Sequence, residues 1–322
     1  MNNDALDSAA TIAVRDCMGV KSNENVLIVV DEPMRDIGHA LWKAAREISK
    51  DVLMVEMAPR LTNGEDPPPE VADLMKVFTV VLCPTSKSLT HTNARRAASE
   101  RGMRIATLPG VTSEIMVRCM NADYNLIAAR TKKLCSMLEK TSVVKVTSPA
   151  GTDITLPMKG RKAHASTGLF RETGQWGNLP TGEAYLAPLE GRSNGVMVVD
   201  GSMAGVGMVV TPIKIEVRNG YAADISGGEE ATKLNTLLRP HGRDGRNVAE
   251  FGIGTNDRAI LSGKILEDEK VMGTIHIAFG DNKSMGGSVT VASHLDGLVK
   301  FPSVWFDELQ IMKDGNFLVE LK

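Results

Sequence analysis

Cysteine is sparse and unpatterned: Cys17, Cys83, Cys119 and Cys135 are widely spaced and no CxxC pair occurs. That excludes a zinc knuckle and a disulfide framework, and four reduced, mostly buried thiols are expected. Charge of one sign is also missing as a block. The 37 basic residues nearly balance 39 acidic ones, for a formal net charge of -2. A nucleic-acid or polybasic membrane-surface role is therefore not expected. The longest apolar runs, Asn25 to Val30 and Val77 to Cys83, fall well short of the roughly 20 residues of a membrane-spanning helix. Met1 to Ser8 is polar and acidic, without the basic and apolar regions of an export signal. The expectation is a soluble, cytoplasmic protein acting on a small molecule or short peptide. There is no internal repeat. No phosphate-binding glycine loop follows the first strand-like run, where Asp31-Glu32-Pro33-Met34 stands in place of GxGxxG or GxxxxGK.

What is present is a change of rhythm along the chain. A length of 322 residues exceeds the usual size of one hydrophobic core, so two domains are expected. Strand-like and helix-like patterns alternate at first: Asn25 to Asp31 (NVLIVVD), Met34 to Ser49, Asp51 to Met57, Glu70 to Met75, Val77 to Cys83, Thr92 to Arg101 and Arg104 to Leu108. This is the signature of parallel βα units. A long helix over about Asn121 to Leu138 leads to a second half of short strands and Gly-rich turns. Strands are expected at Val143 to Thr147, Asp153 to Pro157, Gly195 to Val199, Ile213 to Arg218, Thr274 to Phe279 and Ser288 to Ser293, with one clear helix at Gly228 to Leu238. The fold class expected is α/β plus α+β: a small, open, parallel, Rossmann-like α/β domain over 1–140, then a larger β-rich metal-binding domain over 141–322.

The second half places ionisable residues where apolar ones would be expected. In Ser288 to Asp296 (SVTVASHLD) the alternation of an extended chain sends His294 and Asp296 to one side. An imidazole beside a carboxylate is a ready metal chelate. His276 lies between Ile275 and Ile277, on the opposite strand face from both. Glu250 in NVAEFGIGTN and Glu183 in LPTGEAYLAP sit among apolar residues and glycines, and buried carboxylates are costly unless paired or bound to a cation. Each also has a plainer reading. Glu250 pairs equally well with Arg246 or Arg258, Asp296 before Gly297 is a common turn former, and Glu183 after Gly182 suits a turn. The five together point to a metal site.

The segments LPTGEAYLAP, AEFGIGTN, GTIHIAFGDN and SHLDG resemble, in order, the motifs of the M29 family of metal-dependent aminopeptidases. The resemblance covers the C-terminal half. It implies a hydrolase with one or two divalent ions (zinc, manganese or cobalt) on Glu183, Glu250, His276, His294 and Asp296, with Glu183 or Glu250 as general base and a homodimeric assembly. The family's tyrosine ligand is missing, since Gly280-Asp281-Asn282-Lys283-Ser284 follows and no tyrosine lies between His276 and His294. The chain is also similar to ring-opening dioxygenases of the 2,5-dihydroxypyridine type in the same superfamily, which implies the alternative of one iron(II) held by two histidines and an aspartate. Candidate substrate contacts are His164, Arg171, Trp176 and Asn178, just before the Glu183 motif, and His91, after a strand of the α/β half.

Overall fold

Six consecutive buried residues, Val26–Asp31, form an interior strand of a five-stranded parallel sheet. The computed structural model describes residues 3–321 and divides into two units. One runs to residue 125 and takes in 168–181; the other comprises 126–167 and the chain from 182 onward. In the first unit the strand order is Val52–Met57, Val26–Asp31, Val80–Cys83, Arg104–Thr107, Trp176–Asn178, all parallel. Parallel strands need helical crossovers that cover them. Helix Arg35–Arg46 buries Ile37, Leu41 and Ala45, and Asn93–Glu100 starts at Thr92, whose hydroxyl accepts from the Arg95 backbone N–H.

The second unit is built from two antiparallel sheets. The eight-stranded one runs Tyr221–Ser226, Ile213–Arg218, Asn194–Val199, Asp153–Pro157, Val143–Thr147, Ser303–Phe306, Leu309–Lys313, Asn316–Phe317. The seven-stranded one runs Gly207–Met208, Ser202–Met203, His294–Val299, Ile275–Gly280, Val248–Gly254, Glu183–Leu186, His164–Ser166. Val144, Val146, Ile154, Leu156, Ile213 and Ile215 of the first join Leu186, Phe251, Ile253, Ile275, Ile277 and Phe279 of the second in one buried cluster. The chain is thus a mixed α and β protein with one parallel and two antiparallel sheets. No described helix is long and apolar enough to cross a membrane.

Three features depart from the sequence expectation. Residues 168–181 return to the first unit, where Ile105 to Thr107 pair with Trp176 to Asn178, so the break does not fall at residue 140. The long helix begins at Tyr124 rather than Asn121, with the Asp123 side chain accepting from the Asn125 N–H. Ser288 to Ser293 is not a strand: the N–H groups of Ser288, Val289 and Val291 donate to the side chains of Glu190, Asn282 and Asp281. Side chains have taken the ladder's place there.

Candidate metal centre

Alternation on the seven-stranded sheet separates two chemistries. Leu186, Phe251, Ile253, Ile275, Ile277 and Phe279 turn to the buried cluster, so the residues between them face the other way. The register fixes who meets whom on that second face. Gly254 is opposite Glu183, Gly252 is opposite both Tyr185 and His276, Glu250 is opposite Ala278, and Ala278 is opposite Asp296. A register shift between Val248 and Glu250 lets Val248 and Phe251 both reach the core while Glu250 turns outward from it.

Small residues at the pair positions leave room for the ionisable ones. A Cβ on Gly252 would stand 2.0 Å from His276 Nε2, so the imidazole occupies the space that a side chain at 252 would fill. His276 Nε2 lies 3.2 Å from Glu250 Oε1 and 3.6 Å from Glu183 Oε2. Glu250 Oε2 lies 3.2 Å from His294 Nε2, which is 3.5 Å from Asp296 Oδ1. The His294 ring is anchored from behind, with Nδ1 2.8 Å from the Asp281 carbonyl oxygen. A carbonyl only accepts, so Nδ1 carries the proton and Nε2 is directed at the two carboxylates. His276 is fully buried, whereas the His294 side chain is 32% exposed. His294 therefore marks the side open to solvent.

This donor set fits a divalent cation. Glu250, His276 and Asp296 each offer an atom within 4.8 Å of the others, and so do Glu183, Glu269 and His276. Glu183 Oε2 and His276 Nδ1 are buried without a hydrogen-bond partner among the described residues. Two imidazoles facing acidic oxygens, one of them orphaned, are otherwise satisfied only by taking up protons. Burial depresses the imidazole of His276, but the hydrogen bond to Glu250 and the charges of Glu183, Glu250 and Asp296 outweigh it and push the group up to about 9. For Glu250, burial acts to raise the carboxyl, and His276 and His294 more than reverse it.

Contacts bear on two of the plainer readings. Arg246 donates to the Ala222 carbonyl and to Asn235, not to Glu250, and Asp296 lies within a strand rather than a turn. Two residues that the sequence did not single out join the cluster. Lys270 Nζ donates to Glu183 Oε1 at 2.6 Å and also to Glu269 Oε1. Burial lowers the Lys270 ammonium, and these two carboxylates more than restore it. Burial itself raises the Glu269 carboxyl, up to about 8. The signal available was Gly254: a Cβ there would meet the Val271 carbonyl oxygen at 2.1 Å, so only glycine lets that segment lie against the strand.

Of the candidate substrate residues, His164 lies on this sheet, opposite Tyr185, and its ring stacks on Tyr185 with centroids 5.3 Å apart. The other four belong to the first unit. His91 and Trp176 pack edge to face at 6.2 Å, and the Arg95 guanidinium lies 3.6 Å from the Trp176 ring centre. Asn178 Oδ1 accepts from the hydroxyls of Thr90 and Thr107, and Arg171 donates to the Asp16 carbonyl. A cavity of about 700 Å³ lined by Tyr221, Arg239, Arg243 and Arg246 shares no residue with the cluster.

A pH dependence follows for the metal-free protein. His276 and Glu269 both have folded-state values above their ordinary ones. Their protonation stabilises the fold most fully at low pH, and that contribution is lost as pH rises through about 8 for Glu269 and about 9 for His276. Chelator-treated protein is expected to lose Tm between pH 7 and 9. A bound cation competes with the same protons, so metal-loaded protein should hold its Tm there and its apparent metal affinity should rise. Thermal scans with and without chelator check both.

The class is that of two-unit enzymes with an ionisable cluster on the face of an antiparallel sheet. The 2,5-dihydroxypyridine dioxygenase of Pseudomonas putida KT2440 shares the fold with a TM-score of 0.87 at 18% identity over 99% of each chain. Wild-type AmpT from Thermus thermophilus does so at 0.71 and 17% identity, over 99% of this chain and 100% of that one. In sequence, the 2,5-dihydroxypyridine 5,6-dioxygenase of Pseudomonas putida KT2440 is 23% identical over 249 residues, covering 71% of this chain and 68% of that protein. The model of the family described as NicX: 2,5-dihydroxypyridine 5,6-dioxygenase matches residues 10–319. The chain belongs to that family.

Proposed function

We propose that this chain is a mononuclear, non-haem iron(II) oxygenase that opens the ring of a dihydroxylated pyridine with O2, both oxygen atoms entering the product. The observation that carries this reading is the division of the acidic cluster. Glu183 and Glu269 already hold a cation, the Lys270 ammonium. His276, His294, Glu250 and Asp296 face one another without one. Two imidazoles with carboxylate oxygen form the ligand set of non-haem iron oxygenases. A two-ion hydrolase would need both halves free, and the tyrosine of the aminopeptidase motif is absent.

Iron(II), when bound, supplies the one-electron chemistry that lets O2 react with a closed-shell ring. The chain's own residues prepare the place for it. Asp281, through its carbonyl, fixes the His294 tautomer and ring plane, as outer partners of metal-binding histidines do. Glu250 spans the two imidazoles and orients both. Glu183 Oε2, buried and without a hydrogen-bond partner among the described residues, is the acceptor for a substrate hydroxyl proton. His164 and Tyr185 offer a stacked aromatic wall beside it. Protein reconstituted anaerobically with iron(II) should consume one O2 per 2,5-dihydroxypyridine lost and leave aminoacyl anilides intact. Anilide hydrolysis with zinc, manganese or cobalt, without oxygen uptake, would establish the hydrolase instead.

A further inference from the structure

We infer that Lys270 is a built-in cation occupying the place of a second metal ion, and that it restricts this protein to one metal per chain. Glu183, Glu269 and His276 have the composition and spacing of a second metal group, with ligand atoms within 4.8 Å of one another. The Lys270 ammonium sits between the two carboxylates, 2.6 Å from Glu183 Oε1 and also bonded to Glu269 Oε1. Its side chain is only 3% exposed, so it does not exchange with solvent as a surface lysine would.

The backbone fixes it there. The Asn256 N–H donates to the Lys270 carbonyl at 2.9 Å, the Lys270 N–H donates to the Glu267 carbonyl at 2.9 Å, and the Met272 N–H donates to the Asn256 carbonyl at 3.1 Å. The absence of a side chain at Gly254 lets this segment approach. A divalent ion entering the same group would have to share Glu183 with a fixed positive charge, and like charges a few ångströms apart in a buried site repel strongly.

The inference rests on the reading of Glu250, His276, His294 and Asp296 as a metal site, but not on the reaction run there. Metal bound per chain, measured after equilibrium dialysis against manganese(II) or zinc(II), tests it. Wild type should hold one equivalent and Lys270→Met two, while Lys270→Arg, which keeps the charge, should stay at one. Metal-free Lys270→Met should also melt below wild type and recover when the divalent ion is added, because its two carboxylates are then paired again. Lys270→Gln serves if the methionine variant does not accumulate. A folded Lys270→Met or Lys270→Gln protein that stays at one equivalent would overturn the inference, and so would wild type with two even at millimolar metal. Wild type with none would instead remove the metal reading itself.

Discussion

Asp296→Ala is expected to yield a folded protein that no longer retains metal and shows no oxygenase activity above background. Asp296 stands two residues from His294 on one strand face, 3.5 Å from its Nε2, and offers an atom within 4.8 Å of donors from Glu250 and His276. Its removal takes one negative oxygen from a small set and leaves His294 Nε2 with Glu250 alone. Outer partners of metal sites typically contribute roughly 10–100-fold in affinity or activity, and loss of a direct ligand should exceed that. Among the described residues the Asp296 side chain makes no hydrogen bond to the backbone, so the sheet does not depend on it. Metal content after dialysis, with circular dichroism as the control for folding, gives the answer. Full retention of metal would remove Asp296 from the ligand set.

Gly252→Ala is expected to damage the site more than the fold. The added Cβ would meet His276 Nε2 at 2.0 Å and Cε1 at 2.2 Å, so the imidazole must move. Overpacking of this kind costs about 1–3 kcal/mol in stability. The larger effect lies at the site, where a misplacement of about 1 Å can cost on the order of 100-fold in rate. Weaker metal binding should accompany it, because the displaced atom is the one that faces Glu250 and Glu183. Denaturant midpoints and metal titrations on one preparation separate the two effects. Unchanged metal affinity and activity would show that His276 Nε2 is not part of the working site.

The period of two in a β-strand made much of this site legible. His294 and Asp296 could be placed on one face because they are two apart, and His276 could be placed opposite its isoleucine neighbours by the same rule. The pairing that brings three strands' residues together was not legible, since it depends on the shift between Val248 and Glu250. Lys270 and Glu269 were missed for a related reason. They follow Glu267 and Asp268 in a run of four charges, a pattern expected at a solvated turn, yet Glu267, Asp268 and Lys270 are all buried. Only the approach permitted at Gly254 carries them inside. The alternating rhythm of the N-terminal half gave the parallel sheet, but nothing local marks 168–181 as a return, because the pairing of Ile105 with Trp176 joins residues far apart in sequence. At Ser288 to Ser293 the alternation misled, because the acceptors there are the side chains of Glu190, Asn282 and Asp281.

The most direct test of the central claim is the mass of the product formed from 2,5-dihydroxypyridine under ¹⁸O-labelled O2 by protein loaded with iron(II). The account predicts a ring-opened product carrying two labelled atoms from O2, allowing for any that exchange with water, and no such product from Asp296→Ala. Substrate left intact under O2 by a protein that holds its metal, with an amide instead hydrolysed to a product that carries no label from O2, would contradict it.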